Sequence, residues 1–161
     1  MAVTLRRAVA ADAPAVMAIY NHYIRHTTVN FSSTEKTRAD ILDLLSNRPA
    51  FFVTERDGQI LGFATYAQFR ASDGYARCME HTILLLPEVS GAGLGRALLT
   101  AVEDHARARG AHTMFAGVAA ENEAGRAFHS AMGYNETFIL RETGWKFGRW
   151  LDLVLMQKFL S

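Results

Sequence analysis

The sequence contains little cysteine, little proline and little net charge. One cysteine in 161 residues excludes an internal disulfide framework and a cysteine-rich zinc cluster. Only three prolines interrupt the chain, and neither a repeat nor a low-complexity linker divides it, so we predict one domain over residues 1–161. A formal net charge of +1 argues against a general nucleic-acid binder, which normally carries a strong basic excess.

Long hydrophobic runs are missing as well. The densest apolar run, Ile83 to Leu86, ends at Pro87 and is far shorter than the roughly 20 residues that a membrane helix needs. Residues 1–7 lack the apolar core and the cleavage site of a signal peptide, so we expect a cytoplasmic protein without a membrane partner. Half of the residues are apolar and 20% are charged, which is typical of a folded globular domain.

What the chain does contain is a series of short strands and amphipathic helices. The patterns predict, in order, a strand, two helices, three strands, a helix, a strand, a helix and two strands. Asp57-Gly58 between two apolar runs indicates a tight hairpin, and residues 93–109 carry apolar side chains at helical spacing. This order predicts an α/β fold with a mixed sheet of about seven strands flanked by about four helices. Residues 78–118 form a strand–helix–strand unit whose strands could run parallel.

A glycine-rich turn connects the strand and the helix of that unit. Its sequence runs from Ser90 to Arg96, with glycine at positions 91, 93 and 95. Such glycines let backbone N–H groups converge on an anion, and the helix N-terminus adds partial positive charge. The pattern favours a pyrophosphate site, with a tight turn packed on the sheet as the alternative. The turn lacks the lysine of a P-loop, and its third glycine comes one residue too early for a dinucleotide-binding turn.

The turn resembles the acyl-CoA pyrophosphate loop of the GNAT superfamily of N-acyltransferases. The stretch from Asn122 to Gly133-Tyr134 is similar to a second signature of that superfamily. A narrower resemblance, to the phosphinothricin and methionine sulfoximine or sulfone N-acetyltransferases, is carried by Met79-Glu80-His81-Thr82, by Phe128-His129-Ser130 and by the block from Gly144 to Asp152. The superfamily resemblance covers nearly the whole chain, in strand order as well as in motifs.

The resemblance implies the GNAT acyl-CoA N-acyltransferase fold and a specific reaction. Acetyl-CoA would be the co-substrate, no metal would be needed, and the acetyl group would pass to the α-amine of a small amino-acid-like acceptor by direct attack in a ternary complex. The chain departs from the family at Ser90, where relatives carry Arg or Gln, at Ala92, at Ile83-Leu84-Leu85, which lacks a tyrosine, and at Gly125, where relatives often carry serine. We therefore expect fewer charge-assisted contacts to CoA.

The resemblance and the residue chemistry together select candidate site residues. For acetyl-CoA they are Ile83, Leu84, Leu85, Gly91, Ala92, Gly93, Leu94, Gly95, Arg96 and Asn122. For the acceptor they are Phe31, Phe69, Arg70, Ala71, Ser72, Arg77, Glu80, His81 and Thr82. Arginine suits the carboxylate and multi-oxygen groups of such acceptors, whereas phenylalanine is as readily a core residue.

Two residues are candidates for proton transfer. Glu80 is the candidate base, because its strand becomes apolar directly afterwards and burial would raise its pKa; the alternative is a surface salt bridge with Arg77. The resemblance implies that His129 is the donor to the leaving thiolate, a role that an imidazole can fill; the alternative is a histidine packed between helix and sheet. His81 should point to the opposite face from Glu80, as a core histidine. Asn122 could contact the pantetheine arm and cap its helix at once.

The last hairpin carries Lys146 and Arg149. These could protect an exposed strand edge, or could form a cationic cluster for an acidic acceptor. Members of the resembled family dimerise with this region near the partner's active site, which implies a homodimer. Two other functions stay open: an acetyltransferase for a polyamine, an aminoglycoside or a protein N-terminus, and a degenerate CoA-binding module without catalysis.

Overall fold

The computed structural model describes residues 2–89 and 93–161, so Ser90, Gly91 and Ala92 of the glycine-rich turn lie outside the described residues. Within the described residues the chain forms seven strands and four α-helices in the predicted order. The strands are β1 (Thr4–Arg7), β2 (Phe51–Arg56), β3 (Gln59–Gln68), β4 (Cys78–Leu85), β5 (Thr113–Ala119), β6 (Asn135–Lys146) and β7 (Arg149–Phe159). The helices are α1 (Ala13–His26), α2 (Arg38–Asn47), α3 (Leu94–Ala108) and α4 (Glu123–Ala131).

The strands form one mixed sheet in the order β1-β2-β3-β4-β5-β7-β6. β4 and β5 run parallel, and the other neighbouring pairs are antiparallel. The predicted strand–helix–strand unit is therefore β4–α3–β5. Asp57 and Gly58 have φ angles of 52° and 79° and make the turn between β2 and β3, as the sequence predicts.

Helices cover both faces of the sheet, which confirms the predicted α/β architecture. On one face α3 buries Leu98, Leu99 and Val102 against Met114 and Met156. On the other face α1 and α2 bury a second cluster that includes Val16, Ile19, Ile24, Ile41 and Phe63. Alternate residues of the central strands point to opposite faces, so each strand contributes to both cores.

The pairing between β4 and β5 is short. It joins Cys78 to Thr113, Met79 to Met114 and Glu80 to Phe115. Beyond Glu80 β5 continues beside β7, and β4 continues beside β3. The two parallel strands therefore diverge in the middle of the sheet and leave a gap.

None of the helices that the structure describes is both long enough and apolar enough to cross a bilayer.

Candidate active site

A cavity of about 950 Å³ opens in the gap between β4 and β5. Most of its wall comes from five parts of the chain: residues 80–87 of β4 and its end, residues 116–119 of β5, residues 93–96 at the start of α3, residues 122–129 of α4 and its cap, and residues 29–32 between α1 and α2. Tyr23 of α1 and Leu153 of β7 complete the described lining. Because β5 leaves β4 after Glu80, peptide groups of β4 that point away from β3 face this cavity. They are available to an extended ligand.

The start of α3 is shaped by two glycines with different tasks. Gly93 is the N-cap residue and has a φ of 76°, in the left-handed region that favours glycine. Gly95 lies against α4, since an added Cβ would be 3.1 Å from the Phe128 ring. Residues 93–96 of this first turn, whose N–H groups have no carbonyl partner within the helix, line the cavity, with Arg96 among them. The arrangement is that of a helix N-terminus able to bind an anion.

Asn122 caps α4 by accepting a hydrogen bond of 3.0 Å at Oδ1 from the N–H of Gly125. An added Cβ at Gly125 would lie 2.4 Å from Asn122 Nδ2. Glycine at this position therefore lets Asn122 fold back onto the helix. Asn122 also lines the cavity, so capping and ligand contact are compatible here.

Glu80 lies half-buried in the cavity wall, and it forms no ion pair with any residue that the structure describes. The alternative of a salt bridge with Arg77 is therefore not found. Burial raises the pKa of the Glu80 carboxyl above its ordinary value. An added Cβ at Gly117 would lie 3.0 Å from Glu80 Oε2, so the carboxylate rests against bare backbone of β5.

Two stacked histidines lie on the other face of β4 from Glu80. The rings of His81 and His129 are 5.1 Å apart at an angle of 16°, and both side chains are buried. Burial lowers the pKa of both, that of His81 to about 3, so both rings are neutral at pH 7. His129 Nδ1 donates to the Gly125 carbonyl oxygen over 2.7 Å, which makes Nε2 an acceptor. His129 can thus donate a proton from Nε2 only after it has first received one.

Residues 16–134 match the Acetyltransferase (GNAT) family. The chain belongs to the GNAT acetyltransferase family. It is an acetyl-CoA-dependent N-acetyltransferase, as the resemblance in its sequence implies.

Three proteins similar to this GNAT acetyltransferase carry more specific names. An L-methionine sulfoximine/L-methionine sulfone acetyltransferase from Salmonella typhimurium is 35% identical over 96% of this chain and 92% of its own length. A phosphinothricin acetyltransferase from Sinorhizobium meliloti, in complex with acetyl-CoA, has a TM-score of 0.94 at 31% identity and covers 100% of this chain and 90% of that one. A ribosomal-protein-alanine N-acetyltransferase from Brucella melitensis has a TM-score of 0.93 at 37% identity and covers 97% and 99%.

Most of the candidate residues within the described ranges do meet at the cavity of this acetyltransferase. They are Phe31, Glu80, His81, Thr82, Ile83, Leu84, Leu85, Gly93, Leu94, Gly95, Arg96, Asn122 and His129. Glu80 and His81 point to opposite faces, as expected from strand geometry. Both still line the cavity, because the gap between β4 and β5 passes through the sheet.

Five acceptor candidates are not among the described residues of the cavity wall: Phe69, Arg70, Ala71, Ser72 and Arg77. The chain leaves the sheet after Gln68, whose side chain donates to the carbonyl oxygens of Arg70 and Ser72 and so turns the loop outwards. Residues 70–77 are exposed. The Phe69 ring stacks instead on Phe115, 4.8 Å away.

The expectation for the last hairpin is wrong in this chain. Lys146 is only 1% exposed, and its Nζ donates to the carbonyl oxygens of Thr27 and Asn30, each over 2.6 Å. Arg149 pairs with Glu121 over 2.8 Å. These cations therefore bind protein groups, and neither an exposed cationic edge nor a cluster for an acidic acceptor is formed.

Sequence reasoning missed a buried polar network behind the two histidines of the acetyltransferase. The edge of the Tyr134 ring meets both imidazoles, and its hydroxyl donates to Glu103 over 2.8 Å. Lys158 donates to the same carboxylate over 2.9 Å. The available signal was Glu103 itself, a charged residue on the apolar stripe of α3.

Proposed function

We propose that this enzyme acetylates the α-amine of a phosphinothricin-, methionine sulfoximine- or methionine sulfone-type amino acid. The amine attacks acetyl-CoA directly in a ternary complex. The observation that supports this most is the shared cavity. Glu80, a half-buried carboxylate that pairs with no cation among the described residues, and the helix N-terminus at Gly93 line the same space. The relatives named for such acceptors add to it.

Acetyl-CoA is assigned to the gap between the diverging strands. The pyrophosphate is assigned to the first turn of α3, at residues 93–96, which the candidates Gly91 and Ala92 directly precede in the sequence. The pantetheine arm runs along residues 83–85 and past Asn122. The thioester then reaches the level of Glu80 and His129. Main-chain N–H groups supply most of the phosphate contacts, which fits a loop with Arg96 as its nearest cation.

Glu80 is assigned the role of general base. The ammonium form of an amino acid must lose a proton before its nitrogen can attack, and a carboxylate with a raised pKa can take that proton directly or through a water. The nitrogen then bonds to the acetyl carbon, the carbon–sulfur bond breaks, and the thiolate takes a proton that the nitrogen releases. We assign the relay of this last proton to His129 Nε2, which would receive the proton before donating it, because Nδ1 already donates to the Gly125 carbonyl oxygen.

A second acceptor is supported by one specific observation. The Brucella melitensis protein is named for alanine of a ribosomal protein and is 37% identical to this chain. An N-terminal alanine of a polypeptide is thus the competing substrate, and the polyamine and aminoglycoside alternatives have no comparable support.

An acceptor screen tests the proposal. The purified enzyme is incubated with acetyl-CoA and, separately, with phosphinothricin, methionine sulfoximine, methionine sulfone, an alanine-initiated peptide, a polyamine and an aminoglycoside. We expect mass spectrometry to show one added acetyl group on the amino acids, and kcat/KM to be highest for one of them. A peptide that is acetylated while no amino acid is would overturn the proposal.

We also propose that the enzyme is a homodimer. Seven large apolar side chains are exposed on β6, β7 and their connection: Phe138, Ile139, Leu140, Trp145, Phe147, Trp150 and Phe159. Large apolar side chains exposed on neighbouring strands are typical of a protein interface. β6 is also an edge strand of the sheet, so a second copy can cover it.

A further inference from the structure

One wall of the cavity is an irregular segment, residues 27–32, which follows α1 directly. Val29, Asn30, Phe31 and Ser32 of this wall segment line the cavity. Leu84 packs in the core under α1, and alternate residues share a strand face, so Glu80 points to that same face. The wall segment therefore lies on the side of the sheet where the acceptor amine would meet its base.

The last hairpin holds the backbone of this wall segment through Lys146. An ammonium group has three N–H donors, and Lys146 Nζ directs them at three main-chain carbonyl oxygens. Those of Thr27 and Asn30 are 2.6 Å away, and that of Tyr23, in the last turn of α1, is 3.5 Å away. A cation is favourable at a helix C-terminus. Because Lys146 binds main-chain carbonyl groups, it fixes the path of the backbone independently of the side chains of the wall segment.

Gly144 sets the position of the Phe31 ring. An added Cβ at Gly144 would lie 2.4 Å from Phe31 Cδ2 and 2.7 Å from Cε2, so the ring packs directly on the backbone of β6. The strand is bulged just before this contact, where its register with β7 shifts between Leu140 and Gly144. The bulge is held by Asp152, which accepts a hydrogen bond of 2.7 Å from the N–H of Glu142.

A third tie joins the wall segment to the same hairpin. The Thr28 hydroxyl donates to Glu121, and Arg149 at the start of β7 binds both oxygens of that carboxylate, over 2.8 and 2.9 Å. One short sequence block thus holds the same wall segment at several points, directly or through another residue. Its contributing residues are Gly144, Lys146, Arg149 and Asp152.

We infer that Lys146 and Gly144 are positioning residues for the acceptor. Lys146 fixes the backbone of the wall segment, and Gly144 fixes the position of the Phe31 ring. This inference rests on the proposed function. Neither residue touches the reacting atoms, and the described residues that surround the α3 N-terminus are not among their contacts. Their loss should therefore affect the acceptor far more than acetyl-CoA.

The first test uses Gly144→Ala, Phe31→Ala and the double variant, with the amino acid that the screen selects. We expect Gly144→Ala to raise the KM for the acceptor by about tenfold, because a displacement of about 1 Å can cost up to about 100-fold in rate. The KM for acetyl-CoA should stay within about twofold. With Phe31→Ala already present, Gly144→Ala should have little further effect, since the ring that it displaces is gone.

The second test uses Lys146→Met, which keeps the aliphatic stem but removes the three donors. The control is Lys36→Met, because Lys36 also follows α1 but its ammonium group lies over the Tyr20 ring. We expect Lys146→Met to raise the acceptor KM and to speed amide hydrogen exchange in residues 27–32, with both quantities unchanged in Lys36→Met. If Lys146→Met does not fold, the Gly144→Ala series still decides the question.

The outcomes separate the two proposals. A wild-type enzyme that acetylates none of the amino acids overturns the proposed function. If the wild type is active, two results overturn the positioning role alone. One is that Gly144→Ala and Lys146→Met keep the acceptor KM of wild type. The other is that Gly144→Ala changes the acceptor KM equally with and without the Phe31 ring.

Discussion

Glu80 has a raised pKa, which a general base at neutral pH needs. The cause of the shift is burial of the carboxyl group and not a neighbouring carboxylate. The bare backbone of Gly117 leaves room for the carboxylate beside β5. By contrast, burial keeps His81 and His129 neutral, which suits them for packing and relay.

The same burial makes the stability of the protein depend on pH. The folded-state pKa of Glu80 lies above the value of about 4.3 in an unfolded chain, so the folded protein binds the proton more tightly. The stabilising contribution is complete below the unfolded pKa and is lost as the pH rises through the folded pKa. We therefore expect Glu80→Gln to gain free energy of unfolding relative to wild type as the pH rises from about 4. Urea unfolding of both proteins over this pH range measures the difference in their free energies of unfolding. A difference that does not change with pH would contradict the account.

At the scale of elements, the divergence of β4 and β5 creates the cavity, and α4 supplies part of its wall. The N-terminus of α4 depends on Asn122, whose amide folds back over Gly125. Gly125→Ala should displace this amide, because the new methyl group would overlap Nδ2. We expect a loss of about 0.5–2 kcal/mol in the free energy of unfolding, which is typical of a lost helix cap.

A matched background tests that prediction. In Asn122→Ala the capping amide is already absent, so Gly125→Ala should cost little more when urea unfolding is repeated. An equal loss of stability in both backgrounds would show that position 125 acts through something other than the cap.

The elements themselves were predictable from the sequence, because apolar spacing and turn residues are local signals. Asp57-Gly58 and the amphipathic stretch of α3 are examples. Glu80 could also be selected, since its strand turns apolar directly after it. Lys146 could not be placed, because its carbonyl partners lie 119 and 116 residues earlier in the chain. Every residue carries a main-chain carbonyl group, so the sequence does not show which carbonyl groups bind the lysine. A buried lysine of this kind is therefore mistaken for a surface residue.

At the scale of the whole molecule, near-neutral net charge is compatible with an anionic ligand. Arg149 is neutralised by Glu121, and Lys146 is bound by carbonyl oxygens. In the proposed function the phosphate contacts therefore come mainly from the N–H groups at the start of α3. The fold class follows from patterns along the chain and the acetyl-CoA chemistry from the family resemblance. The separation of Arg70 and Arg77 from the cavity depends instead on how a loop leaves the sheet. The cytoplasmic location stays a prediction.

The proposed dimer is tested at this scale. Phe138 is 60% exposed on the edge strand β6, so Phe138→Asp would place a charge in the interface. We expect sedimentation equilibrium to give twice the chain mass for wild type and a shift to monomer for Phe138→Asp. Tyr75→Asp, at an exposed aromatic outside β6 and β7, is the control and should remain dimeric. A monomeric wild type would contradict the proposal.

The most direct test of the account is the pH dependence of kcat/KM for the acceptor, in wild type and in Glu80→Gln. In wild type kcat/KM should rise with pH through the raised pKa of Glu80, because only the carboxylate can accept the proton of the amine. Glu80→Gln should lower kcat/KM by about 10²- to 10⁴-fold and lose that rise, with the affinity for acetyl-CoA nearly unchanged. A variant that keeps the wild-type pH profile would show that Glu80 is not the base.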